Sequence, residues 1–288
     1  SEMKIPLSQL RYNPSSTDQV WGLNFYRRTA RYGEESFWEP VLMETKGFVS
    51  QFGDLTGIRL SKQKKRIEVV PYLAGKNFLE DGLNSNPYWE KNNFSGNLGV
   101  DFKIGVGSNF TLTGTIFPDF GQVEADPANL NLSAFETFFE ERRPFFLEGT
   151  DIFQFGKTRS FSSRGSNLFY SRRIGRKPRG YINDENTQFE DYPSQTDIIS
   201  ALKFSGKTKS GFSIGILDAI TREEKAIYID SFGNEKTQPI EPFSNSFVLR
   251  LKKDMVDGKV VLGSFITHKT NNLSTAYLDT SFLKDALV

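Results

Sequence analysis

The side chains best equipped for chemistry are gathered in one region of the chain. Glu136, Glu140, Glu141, Arg142, Arg143 and Glu148 lie close together, with Asp119, Glu124 and Asp126 upstream and Arg172, Arg173 and Arg176 downstream. Two carboxyl groups flanking a glycosidic bond can act as general acid and base. The same residues also read as a charge-balanced network, in which guanidinium forks satisfy carboxylates removed from bulk water. Glycosidase geometry is a separation in space that no sequence spacing specifies, so the network is the preferred reading and no residue is assigned a catalytic role. Glu124, Asp126, Glu136, Glu140, Arg142, Arg143, Glu148, Arg172 and Arg173 are its candidate members, or candidate ligand contacts. Trp21 and Trp38 are the candidates for stacking on a sugar ring; packing is the simpler reading for Trp21, which sits inside an alternating run.

Other chemistries are closed off. The chain has no Cys and one His, His268, so disulfides, thiol catalysis, Cys/His zinc sites and triads built on any other His are excluded. The acidic run Asn183 to Asp191 offers oxygens to a hard cation but lacks the spacing of a calcium-binding loop, and a solvated loop is preferred. Ser205-Gly206-Lys207-Thr208 has Ala201 where a phosphate-binding loop needs its first Gly. No metal and no cofactor is assigned. With 36 Lys and Arg against 35 Asp and Glu the formal charge is +1, which argues against capture of nucleic acid. The basic stretch from Ser61 to Arg66 is read as a linker.

The elements that must position these groups are strands. Aromatic residues make up 14% of the chain, dispersed among polar ones, a β-rich signature. Up to about Leu60 the predicted strands are short: Met3 to Leu7, Val20 to Arg28, a segment through Phe37 and Trp38, and Gly47 to Leu55. Beyond residue 60 the alternating runs lengthen. They are predicted at Arg66 to Lys76, Leu98 to Val106, Phe110 to Phe117, Asn167 to Ile174, Ile198 to Ser205, Phe212 to Thr221, Asn245 to Lys253, Lys259 to Thr267 and Ala276 to Leu283. No run of about 18 apolar residues exists, so a membrane helix is excluded. A membrane barrel is not, because its strands carry polar residues at alternate positions. Spans near ten residues, with short joints at Gly107 to Asn109, Ser205 to Gly211 and Lys253 to Lys259 and a long polar one at Lys177 to Thr196, fit such a barrel. Leu98, Val100, Phe102, Ile104, Phe110, Leu112 and Ile116 should then share one outward face. Between the runs, residues 118 to 155 are too acidic and aromatic for a strand. Ser133 and Glu136 form a capping box predicting a helix from Ala134 to Glu141, ended by Pro144. Tyr88 and Trp89 stand where an interfacial aromatic girdle would lie.

The run FPDFGQVEADPANLNLSAFETFFEERRPFFLEG, followed by LFYSRRIGR at Leu168 to Arg176, resembles the hallmark of a family of outer-membrane β-barrels of unassigned activity in Gram-negative bacteria. In that family the barrel follows a module similar to the family 9 carbohydrate-binding domain, whose end resembles Glu2 to Tyr12, Val20 to Arg27 and Gly47 to Ile58 here. The resemblance implies an all-β chain in two parts. Residues 1–60 would be the C-terminal strands of a β-sandwich, and 61–288 the N-terminal part of an antiparallel outer-membrane barrel, unclosed, with 118–155 as a segment in its lumen. It implies a fragment, with a signal peptide and most of the module ahead of Ser1 and further strands after Val288. Outer-membrane lipid and a carbohydrate ligand are the expected partners, and nucleic acid is not. The expected role is non-catalytic binding or passage of glycans or other nutrients at the outer membrane. A glycoside-active enzyme using acidic residues at the barrel mouth is the alternative, and a soluble all-β binding protein the third.

Overall fold

The computed structural model of the chain describes residues 2–6, 10, 12, 18–42, 48–60, 67–79, 86–89, 92–119, 139–153, 169–208, 210–255 and 260–272. The fold is all-β and antiparallel in every pairing. In the first part, β1 (Gln19–Leu23), β2 (Tyr26–Thr29), β3 (Glu34–Phe37) and β4 (Gly53–Ile58) make two separate pairs, β1 with β4 and β2 with β3. The single strand expected from Val20 to Arg28 is broken at Asn24. That side chain accepts the backbone N–H groups of Phe25 and Glu39 and donates to the Glu39 carbonyl, an arrangement that competes with the strand ladder. The strand expected from Met3 to Leu7 is absent over residues 2–6, where Pro6 has no N–H to give a ladder. From Gly47 to Leu55 a 3₁₀ turn, Val49–Gln51, precedes β4; Gly47 lies outside the described residues.

The second part is a seven-stranded sheet. Its strands are β5 (Ile67–Leu79), β6 (Asn92–Val106), β7 (Phe110–Ile116), β9 (Ile198–Lys207), β10 (Phe212–Thr221), β13 (Ser244–Met255) and β14 (Val260–Asn271). Their order across the sheet is β14-β13-β10-β9-β7-β6-β5, and the two edges β5 and β14 do not pair, so the sheet is open. Consecutive strands are joined at one end by the short segments 107–109, 208–211 and 256–259, and at the other by 80–91, 117–197 and 222–243. β7 stops at Ile116 because Phe117 adopts a φ of 48°, which turns the chain out of the ladder. Three strands were not expected from the sequence. β8 (Thr187–Asp191) falls within the stretch read as a polar connection, and β11 (Glu224–Asp230) with β12 (Glu235–Glu241) fills the joint between β10 and β13; the three form a small sheet ordered β12-β11-β8. The strand expected at Ala276 to Leu283 and the linker at Ser61 to Arg66 lie outside the described residues.

The two faces of the large sheet differ in what covers them. One face carries Thr111, Thr115, Lys203, Ser205, Ser213, Leu217, Ala219, Val248 and Arg250, all buried. A segment with two short helices, α1 (Pro144–Leu147) and α2 (Thr150–Phe153), packs on it. There Phe145 and Phe146 meet Ile174, Ile198, Ala201, Leu217, Ala219 and Val248 to form the core. We call this the packed face. The other face carries Leu73 at 81% exposure, Leu98 at 66% and Ile266 at 50%, with Ile67, Val69, Leu79, Phe94, Ile116, Leu202 and Leu262 exposed as well. The pairings Leu73 with Leu98, Val100 with Ile116, Ile104 with Leu112 and Val106 with Phe110 place the expected seven residues together on this open face.

Two expectations for the middle of the chain are corrected. Residues 134–138 lie outside the described residues, and Phe139 to Arg143 is not helical, with Arg143 itself extended. Pro144 opens α1 instead of ending a helix: its missing N–H falls where a first-turn donor has no intrahelical partner. Of the strand expected from Asn167 to Ile174, the described part Phe169 to Ile174 is a 3₁₀ turn at Ser171–Arg173, and the carbonyls of Ser171 and Ile174 that a ladder would use are taken by a guanidinium.

Candidate functional site

The site is the packed face and the chain docked on it. Its centre is Arg143, 7% exposed. Glu141 lies two residues before Arg143, and its carboxylate folds back onto it. Arg143 Nε donates to Glu141 Oε1 at 2.8 Å and Nη2 to Oε2 at 2.7 Å, while the other guanidinium protons reach the carbonyls of Ile174 (2.6 Å) and Ser171 (2.8 Å). The guanidinium also lies 4.2 Å from the centre of the Phe146 ring. Glu141 accepts further from the Ser171 hydroxyl and from the backbone N–H groups of Arg142 and Arg143. Burial pushes the Glu141 carboxyl up, but the hydrogen bonds and charge of Arg143, with the Ser171 hydroxyl, outweigh it and hold the group below the usual carboxylate range. A carboxyl held ionised in this way is poorly suited to donate a proton to a leaving group.

Lysines from the sheet anchor the same segment. Lys203, 2% exposed in the middle of β9, donates to the carbonyls of Phe145 and Glu148 and lies over the Phe145 ring. Lys103 of β6 pairs with Glu148 at 2.6 Å, and Lys76 of β5 with Asp119 at 2.9 Å. Close approach of α2 depends on Gly215 of β10, where a Cβ would stand 2.7 Å from Ile152 Cγ2.

The sequence candidates therefore separate. Glu124, Asp126 and Glu136 lie outside the described residues. Arg142 is exposed, so of the two arginines expected to be desolvated only Arg143 is. Glu148, expected as a partner for the arginines, pairs with Lys103 instead. Arg172 donates to the Glu140 carbonyl at 2.9 Å and lies 5.9 Å from the centre of the Phe139 ring, while the Glu140 residue is exposed. Arg173 faces a different cleft, with Arg176. Trp21 is half-buried, its indole N–H donating to Gln19, whereas Trp38 is 60% exposed with its ring edge-on to the exposed Phe25. Tyr88 and Trp89 are half-buried, and the Tyr88 hydroxyl donates to Glu235. His268 is on the open face beside Thr270. Lys203 and Lys103 were missed as network members, and Glu141, read as part of the charged cluster, was left out of the named candidates. Lys203 had a signal: it is the one charge between the small residues Ala201 and Ser205 on the same alternate positions of its strand.

The acidic run is structured by a lysine. Asp184 and Asp230 both reach Lys236, at 3.3 and 3.0 Å. The backbone N–H of Asn234, then Lys236, the Asn234 side chain and the Phe232 N–H hold the Asp230 carboxyl down, from 3.8 to about 2, against the opposing effect of burial. A lowered native value means that this carboxylate stabilises the turn above pH 3.8 and that its contribution disappears as the pH falls toward 2. The Asn234 amide resonance should thus titrate with a midpoint near 2. Asp230→Asn should abolish that transition, and a midpoint near 3.8 in the unsubstituted protein would contradict the arrangement.

A family model described as Domain of unknown function (DUF5916) matches residues 64–266. No curated protein and no solved structure matches the chain.

Proposed function

The chain belongs to the DUF5916 family, and we propose that its large sheet is part of the wall of an outer-membrane β-barrel whose packed face lines the lumen. Residues 139–153 then form a constriction inside it. In this reading residues 1–60 are the end of a carbohydrate-binding-like module, and the protein binds or passes glycans or other nutrients at the cell outer membrane without catalysing a reaction on them.

The observation that carries the proposal is the inversion of the two faces. Antiparallel sheets in water bury their apolar face and solvate the polar one. Here Leu73, Leu98, Leu262 and Ile266 are exposed while Lys203, Arg250 and several Ser and Thr side chains are covered. Leaving a Leu or Ile exposed forgoes about 1.5–3 kcal/mol relative to burial, and the open face presents many of them together. Lipid removes that penalty. Strands of ten to fifteen residues at β6, β9, β10, β13 and β14 suit a tilted membrane crossing. Short joints at one end and long ones at the other match the two sides of such barrels. The exposed indole of Trp38 supplies a flat apolar face on which a sugar ring can stack.

Because the chain has no Cys, single cysteines can be placed without background. A fluorophore at Leu98→Cys or Ile266→Cys, in protein reconstituted into vesicles, should be quenched by lipids brominated on their acyl chains. The same fluorophore at Thr267→Cys, whose pairing with Val248 puts it on the packed face, should not be. Equal quenching at adjacent positions 266 and 267, or a monodisperse protein in water with no affinity for vesicles, would overturn the proposal.

A further inference from the structure

The docked segment is held at two ends of unequal depth. At the end joined to the 3₁₀ turn, the ion pair of Arg143 with Glu141 is almost closed to water, its side chains 9% and 12% exposed. At the other end the pair of Lys103 with Glu148 is more open, at 31% and 34%. Dissolved ions reach and compete with a pair of this exposure, whereas a buried pair is screened much less. The turn between the two short helices directly follows the exposed pair. Gly149 adopts a φ of 70°, so the chain turns there without strain, and helices of four residues have little stability of their own.

The groups beneath this end converge on one place. Lys103 of β6 and Lys203 of β9 both pair with Thr113 of β7, one on each side, so they share a face two strand spacings apart, about 10 Å. Both reach Glu148: Lys103 meets its carboxylate at 2.6 Å, and Lys203 donates to its carbonyl together with that of Phe145. Thr111 follows on the same side of β7, buried, and its hydroxyl has no hydrogen-bond partner among the described residues. Gly149 sits over Ser205, the cross-strand neighbour of Thr111. The docked turn therefore covers a hydroxyl without satisfying it, and its carboxylate occupies the place that an oxyanion from outside would take. Such an ion offers more acceptor oxygens to the same donors.

We propose that Glu148 is a built-in substitute for an anionic solute and that its pair with Lys103 is the latch of the constriction. An oxyanion group on the solute displaces the Glu148 carboxylate, and residues 144–153 lift from the sheet about the Arg143 junction, which stays closed. The incoming group needs no separate cavity, because it takes the volume that a carboxylate leaves. The gating role rests on the reading of the packed face as a lumen, whereas the exchange of anions at Lys103 does not.

The test is amide hydrogen exchange of the purified protein in detergent. Sodium sulfate should accelerate exchange over residues 144–153 several-fold relative to sodium chloride at equal ionic strength, and should leave 139–143 as protected as before. Galacturonate should act as sulfate does, and glucose should have no effect. Glu148→Gln should show the fast exchange without any added anion. Lys103→Gln should show it too and lose the response to sulfate, while Lys103→Arg, which keeps the charge, should retain both the slow exchange and the response. Equal effects of sulfate and chloride would reduce the latch to screening and overturn the proposal, as would a sulfate response that survives in Lys103→Gln. A response to sulfate with none to galacturonate would assign the site to free inorganic anions and overturn the solute assignment. Loss of protection over the whole of 139–153 would overturn the fixed junction at Arg143. Failure of lipid quenching at Leu98 would remove the lumen but not the exchange measured in detergent, so the two readings fail separately.

Discussion

Replacing Arg143 with Ala is expected to raise the passive conductance of the reconstituted protein several-fold, without preventing its insertion. The substitution removes four hydrogen bonds, two of them to Glu141, and leaves that carboxylate among the residues that desolvate it. Breaking a buried pair by deleting one partner costs about 3–5 kcal/mol, because the remaining charge stays uncompensated. The carbonyls of Ser171 and Ile174 lose their donor as well, so the junction between the 139–153 segment and the following turn loosens from both sides. Lys203 and Lys103 still hold the other end of the segment. The expected outcome is therefore a constriction that swings rather than a barrel that fails to form. Arg142→Ala serves as the comparison, since it leaves the Glu141–Arg143 pairing in place; it should raise conductance less than Arg143→Ala. Changing both Glu141 and Arg143 to apolar residues of similar volume should restore most of the closed state, as the paired replacement leaves no orphaned charge. Single-channel recordings give the conductance, and protease cleavage between residues 139 and 153 reports the loosening. An unchanged conductance in Arg143→Ala, with the segment still protected, would remove the constriction from the proposal.

The strands were readable in this sequence to the degree that alternation alone determined them. Phe212–Thr221 alternates over ten residues and was placed to the residue, whereas the strict run from Leu98 to Val106 was read as the whole strand and is only the later part of one that starts at Asn92. The earlier half of β6 contains Asn92, Asn93, Gly96 and Asn97, residues of poor strand propensity. They form a ladder because β5 supplies a partner from Ile67 to Leu79, which is information in the fold and not in the local sequence. β11 escaped notice although Ala226, Tyr228 and Asp230 alternate on one side: a carboxylate at a buried position looks like a loop until Lys236 and the Asn234 N–H are seen beside it. The docked residues 139–153 fall within the stretch singled out as 118–155, but their local structure was misread. The Ser133 to Glu136 capping pattern suggested a helix running to Glu141, and on a helix Glu141 and Arg143 would point apart. With Phe139 to Arg143 not helical, the same two residues become partners. Lys103 and Lys203 were not singled out because their partners are mostly backbone carbonyls and a distant Glu148, none of which has a pattern in sequence.

Placing arginine at Leu98 and Ile266 is expected to abolish assembly in the membrane, the largest single effect foreseen for this protein. Both positions lie near the middle of their strands, on the open face, and on opposite arms of the sheet, so neither can compensate the other. At the depth of the bilayer midplane an arginine on the lipid face costs about 2–4 kcal/mol, and two well-separated ones add to about 4–8 kcal/mol. That total is comparable with the whole stability of a typical domain, about 5–15 kcal/mol. The sign is what gives the experiment its power. If the open face met water, each substitution would trade an exposed apolar side chain for a charged one and leave stability unchanged or solubility improved. If it meets lipid, the folded, heat-modifiable form seen on semi-native gels should disappear from the membrane fraction and the protein should accumulate as aggregate. Thr267→Arg changes the neighbouring residue on the other face and should be tolerated, which separates a lipid effect from a general intolerance of β14 to charge. Retention of the folded membrane form by the double arginine variant would refute the lipid-facing role of this surface, and with it the barrel.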